Sequence, residues 1–149
     1  MKKTITRADY SGFCFGVKRA LEKTYEAIIY KKENEKIYTK GPLIHNKAVT
    51  DELEQKGVRI IDSLDEICGN ATVIVRSHGE PESFYKEAEA KGVRLIDATC
   101  PFVEKIHILV KKAHNDGYTI VIAGDRNHPE VTGTNGWCDN SAIVAETAQ

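Results

Sequence analysis

Apolar positions fall along this chain in two alternating rhythms. Short runs rich in β-branched and aliphatic residues sit at 36–39, 58–61, 72–76, 93–96 and 118–123, with shorter candidates at 4–8 and 142–144. They read as strands, and the unbroken run Thr72, Val73, Ile74, Val75 suits a parallel strand buried on both faces. Between the runs the spacing widens to the helical period. Residues 17–31 place Val17, Ala20, Leu21, Thr24, Ala27 and Ile28 on one face. Residues 46–56 form a helix ended by Gly57, and Pro81 opens another that Gly92 closes. Over residues 102–115, Phe102, Val103, Ile106, Leu109, Val110 and Ala113 share an inward face. The stretch 124–140 has no period and reads as a long loop.

Strand and helix therefore alternate, which predicts an α/β layer fold with a parallel sheet. One short repeat supports this. KGVRIID at 56–62 recurs as KGVRLID at 91–97, each time as the return from a helix into a strand. A boundary is expected near Cys100. Residues 1–99 form a first parallel-sheet α/β domain, and residues 100–149 an incomplete second domain of the same kind, too short for a sheet of its own. The chain reads as one that stops within a domain.

Composition narrows the function classes. Of 149 residues, 41% are hydrophobic and 29% charged, and the net charge of -1 argues against a nucleic-acid partner. No apolar run is long enough to span a bilayer, and the N-terminus has two lysines without the apolar core of a secretory signal. A soluble, cytoplasmic protein is expected. Cys14, Cys68, Cys100 and Cys138 include no CxxC pair, so a disulfide framework is not expected.

Two of these cysteines share a setting. GFCFGV joins a strand to a helix and puts Cys14 at a helix N-terminus, where free N–H groups and the macrodipole favour a thiolate. DATCPFV repeats the arrangement at Cys100, with Pro101 suited to the first helical position. Loops of this kind lie along one edge of a parallel sheet, so the two thiols can converge on a metal centre; two unrelated buried cysteines are the alternative. Three histidines occupy similar places: His45 in GPLIHN, His78 in RSHGEP and His128 in GDRNHPEV. At equivalent strand ends they would suit an anion such as a phosphate or diphosphate. Glu130, beside His128, is a candidate proton donor or a surface carboxylate. His107 and His114 read as a helix flank, Cys68 as a turn thiol and Trp137 as packing, while Cys138 is open between structural and site roles.

In this order and at these distances GFCFGVKRALE, IHN, SHG, DATCP and NHPEVTG resemble the 4-hydroxy-3-methylbut-2-enyl diphosphate reductases. The resemblance runs from the first strand to about the end of the chain. It implies the first half of a three-domain trefoil, in which each domain gives one cysteine to a [4Fe–4S] cluster. Cys14 and Cys100 match the first two ligands, with no match to the third. His45, His78 and His128 match the diphosphate- and substrate-binding histidines, and Glu130 the proton-passing acid. The implied reaction is reductive dehydroxylation of the allylic diphosphate to isopentenyl and dimethylallyl diphosphates, with ferredoxin or flavodoxin as electron donor. This chain alone is expected to turn over little or not at all. Two readings compete with the enzyme. One is a non-catalytic diphosphate-binding α/β module. The other is a structural metal site, such as zinc on Cys14, Cys100 and Cys138 with a histidine.

Overall fold

The computed structural model of the protein describes residues 3–147. Its main sheet has four strands: β1 (Lys36–Lys40), β2 (Val58–Ile61), β3 (Ala71–Val75) and β4 (Arg94–Asp97). They lie in the order β2-β1-β3-β4, and each neighbouring pair is parallel. Helices α1 (Phe15–Tyr30), α2 (Lys47–Gln55), α3 (Glu82–Ala90) and α4 (Pro101–Asn115) connect or flank them.

Strand alternation sorts the apolar side chains onto two faces. Ile37, Val58, Ile74 and Ile96 face one way and pack with Ala20, Leu21 and Ile28 of α1 and Leu53 of α2. Tyr38, Ile61, Val73, Val75 and Leu95 face the other way, against Phe84 and Ala88 of α3. β3, central and covered on both sides, is buried at every position. At the N-terminal edge of the sheet the buried Glu35 accepts a hydrogen bond from Thr72 at 2.5 Å and pairs with Arg94, which satisfies its charge.

After β1 the chain runs outward to β2; after β3 it runs the other way to β4. The order reverses between β1 and β3. In open parallel sheets the crevice outside the C-terminal ends at such a reversal is where ligands bind. The loops leaving these two strands carry His45 and His78.

Beyond α4 the chain adds β5 (Val121–Ala123), α5 (Pro129–Asn135) and β6 (Ile143–Ala145). β5 and β6 form a separate parallel pair. Four expectations need correction here. Residues 4–8 form no strand; they are exposed, Ile5 to 96%, and a short strand without a partner gains too little to hold. The strand expected at 118–123 keeps only its last three residues, those that pair with β6. The stretch 124–140 is not a loop throughout. Pro129 stands at the first helical position of α5, and His128 caps it by accepting from the Glu130 N–H. On α4, Val103 is buried but Phe102, Ile106 and Leu109 are exposed, Phe102 to 72%. A two-stranded pair cannot cover that face within this chain, so the helix is held by a narrower stripe, Val103 and His107.

His107 is accordingly no helix-flank residue. It is 2% exposed and stacked on Trp137, with ring centroids 5.3 Å apart. His114 does lie at the flank, 3.4 Å from Asp139. Trp137 packs as expected, between His107 and Lys111.

Candidate functional site

A ladder of backbone hydrogen bonds joins the loops at the C-terminal edge of the sheet. Ser77 N–H donates to the Leu43 carbonyl at 3.4 Å, and Cys100 N–H donates to the Ser77 carbonyl at 2.9 Å. Leu43 is two residues before His45, and Ser77 is the residue before His78. The sheet's register thus continues past its strands and aligns His45, His78 and Cys100 in successive loops.

The third histidine arrives from α5. Its Gly133 lies against the His78 loop so closely that an added Cβ would sit 3.4 Å from the Gly79 carbonyl oxygen. Trp137 Nε1–H donates to the Glu80 carbonyl at 3.0 Å. These contacts dock α5 against the His78 loop, which brings its N-cap His128 to the switch point. The ring centroids stand 4.4 Å apart for His45–His78, 5.7 Å for His45–His128 and 5.9 Å for His78–His128. Three residues scattered over the sequence make one imidazole cluster.

Two details fix what the rings offer. His128 Nδ1 accepts the Glu130 N–H at 3.2 Å, so in its neutral form the proton sits on Nε2. His78 is buried, and burial pushes its pKa down to about 4, helped by the nearby charges of His45, Arg76 and His128. It is therefore neutral at pH 7 and presents one N–H and one lone pair. Such a cluster can donate hydrogen bonds to an anion. Glu130 is exposed, and its carboxylate has no hydrogen-bond or ion-pair partner among the described residues. With Val103, Ile106, Val121 and Val131 it lines an apolar groove of about 360 Å³ between α4 and β5.

Cys14 and Cys100 are N-cap residues of α1 and α4, and neither side chain bonds to its own helix. Arg19 of α1 donates to the Thr99 carbonyl at 2.8 Å, and Lys23 donates to that of Asp97. These bonds press α1 against the β4–α4 junction. Gly16 makes the approach possible, since a Cβ there would lie 2.7 Å from Cys100 Sγ. Cys100 thus reaches the turn that carries Cys14. Both thiols are free, Cys14 exposed and Cys100 half-buried. Among the described residues no group of three or more His, Cys, Asp or Glu gathers to hold a metal ion. Cys138 does not join them: its thiol is buried and donates to the Asn135 carbonyl at 3.2 Å. Cys68 is exposed in a turn.

Behind the histidines sits a pair that motif reading passed over. Arg76 follows β3 directly, and its Nε lies 2.6 Å from Oε1 of Glu80. Both are largely out of solvent, and burial raises the Glu80 pKa. The available signal was a charged residue on each side of SHG, at the end of a strand with no other charge.

Residues 5–149 match the family model described as LytB protein. The chain belongs to the LytB family. Among its LytB relatives are the 4-hydroxy-3-methylbut-2-enyl diphosphate reductases of Clostridioides difficile, 48% identical over 142 residues, and Clostridium perfringens, 48% identical over 147 residues. These alignments cover 95% and 97% of this chain but 50% and 51% of those proteins. A solved (E)-4-hydroxy-3-methyl-but-2-enyl diphosphate reductase, described as the terminal enzyme of the non-mevalonate pathway, superposes with a TM-score of 0.79 at 42% identity, over 95% of this chain and 50% of that one. The E-1-hydroxy-2-methyl-but-2-enyl-4-diphosphate reductase of Plasmodium falciparum superposes at 0.87 with 32% identity, over 93% and 43%. The chain spans about half the length of the relatives it matches.

Proposed function

We propose that this chain provides the diphosphate-anchoring and proton-donating half of a reductase. That reductase converts 4-hydroxy-3-methylbut-2-enyl diphosphate to isopentenyl and dimethylallyl diphosphates. The observation that carries the reading is the His45–His78–His128 cluster at the sheet's switch point. The reaction consumes two electrons and two protons per substrate and releases the hydroxyl as water. His45, His78 and His128 bind the diphosphate through N–H donors and fix its orientation. Glu130, two residues past His128 and free of protein partners, passes a proton toward the departing hydroxyl. Ferredoxin or flavodoxin is the electron-donor class. Residues 1–99 act as one α/β domain and residues 100–149 as part of a second.

The thiol pair supports an iron–sulfur group by its donor chemistry and its placement. Cys14 and Cys100 are unpaired thiols at helix N-termini, and Cys100 Sγ lies over Gly16, two residues from Cys14. They would hold a [4Fe–4S] cluster, the remaining protein ligand coming from outside this chain. When bound, such a cluster supplies the electrons and a Lewis-acidic iron. Exposed Phe13, Phe15 and Phe102 flank the two cysteines. Their rings would keep water from the group once a further domain closes over them.

Anaerobic purification of the chain, followed by reconstitution and assay with a reduced viologen, tests the division of labour. Turnover at or below background is expected from these 149 residues. A protein of the relatives' full length that contains them should bind iron with acid-labile sulfide and turn over. Cys14→Ser or Cys100→Ser in that longer protein should abolish iron uptake, and unchanged iron content would remove them as ligands. Zinc at one per chain would instead favour a structural site.

A further inference from the structure

The three imidazoles leave the anion site short of charge. An imidazole carries at most a pH-dependent charge, while a diphosphate near neutral pH bears several negative charges. No permanent cation is found among the three histidines or the carboxylate of Glu130. Arg76 lies next to them, and guanidinium keeps its charge at any working pH.

Its position follows from the fold. Arg76 is the first residue past β3, two before His78, and it faces the turn that follows β1. An added Cβ on Gly41 would stand 2.8 Å from Arg76 Nη1, so the guanidinium fills the space over that turn. Arg76 therefore spans the switch point from the His78 loop to the loop that leads to His45. Its charge is felt at His78.

Its donors are largely unspent. Nε lies 2.6 Å from Glu80 Oε1, which occupies that one donor. No other hydrogen bond of the Arg76 side chain occurs among the described residues. The side chain is 16% exposed, so it is not sealed off. A buried pair kept only for stability would be expected to use the two-pronged fork of the guanidinium, because a single contact regains only part of the desolvation cost. This pair suits a guanidinium held in reserve, with a carboxylate that holds it back.

We propose that Arg76 is a fourth donor of the anion site. Its guanidinium gives the diphosphate the permanent positive charge the histidines lack, and Glu80 sets how much of that charge is free. The proposal rests on the reading of the histidine cluster as a diphosphate site. It adds a charged group to that site and gives Glu80 a positioning role.

The test is a titration of the 15N-labelled chain with inorganic pyrophosphate, following the imidazole signals of His45, His78 and His128 by NMR. Arg76→Gln is expected to weaken binding about tenfold, equal to about 1.4 kcal/mol. Arg76→Lys keeps the charge and should retain most of the affinity. Glu80→Gln frees the guanidinium and should tighten binding severalfold. A pair that only braces the loops predicts the opposite sign, because losing either partner would loosen the site. Equal affinities for a folded Arg76→Gln and the parent would overturn the proposal, and so would weaker binding by Glu80→Gln. If Arg76→Gln does not fold, the sign of the Glu80→Gln change decides. Pyrophosphate that moves the three imidazoles equally in parent and Arg76 variants would sink the Arg76 role and leave the diphosphate site standing. Pyrophosphate that moves none of them in the parent would sink both.

Discussion

Lowering the pH should destabilise this fold through His78, and the size of the effect can be worked out. The ring is 7% exposed and lies against His45 and His128. Burial, with those neighbours and Arg76, holds its pKa at about 4 against an ordinary 6.5. Below pH 6.5 the unfolded chain takes a proton that the folded chain refuses. Stability is therefore full above 6.5 and declines as pH falls, by about 1.4 kcal/mol per pH unit, until the folded ring titrates near 4. Between pH 7 and pH 5 the loss from this one residue is about 2 kcal/mol. His107, lowered by its own burial, acts in the same direction; Glu80, raised by burial, acts against it. Both remain when His78 is replaced by Gln, so a double difference isolates the one ring. Urea unfolding of parent and His78→Gln at pH 7 and pH 5 should show the parent losing about 2 kcal/mol more than the variant. Equal losses would refute the argument. A His78 ring titrating at 6 or above by NMR would refute it more directly.

Three further outcomes are expected. Gly16→Ala should cost about 1–3 kcal/mol, because its Cβ would stand 2.7 Å from Cys100 Sγ, and it should lower iron uptake in the longer protein; unchanged stability and iron would show that α1 and α4 have room to part. Glu130→Gln in that protein should leave the iron content intact and slow turnover about 10²- to 10⁴-fold, and an unaffected rate would remove Glu130 as proton donor. Trp137→Phe leaves the Glu80 carbonyl without its donor at 3.0 Å; a loss of about 1–3 kcal/mol is expected, read as a Tm lower by several degrees.

The sequence was most readable where local rules and burial agree. β3 is apolar at nearly every position because it is central, and Gly57 and Gly92 close their helices with positive φ. Reading failed where the partner decides. Residues 4–8 have a strand's alternation and nothing to pair with. α4 has a broad apolar face, but this chain covers only a stripe of it, and His107 rather than Leu109 is buried because Trp137 lies beside it. The helix of α5 was hidden by Thr132, Gly133, Thr134 and Asn135, poor helix formers, of which Gly133 serves instead to pack on the His78 loop. The histidines could be listed from their motifs. Their place at equivalent strand ends was expected from the strand–loop pattern; that two of them follow the strands flanking the reversal needed the sheet order.

The same backbone ladder that aligns the histidines also carries Cys100, and this has a mechanical consequence. Ser77 stands between the two: its N–H binds the His45 loop, its carbonyl binds Cys100, and the next residue is His78. The separation between the His45 and His78 loops and Cys100 is therefore set by main-chain hydrogen bonds and not by the rotamers of long side chains. Main-chain ladders move little, because each bond is shared with its neighbours and a buried unpaired carbonyl is costly. On the proposed function, with the substrate held at one end by its diphosphate and reacting at the other, a fixed separation would place the hydroxyl without a closing motion of these loops. Specificity for chain length would then lie in the ladder itself, and adaptability in α5 and the turn after it, which meet the His78 loop through Gly133 and the indole hydrogen bond of Trp137.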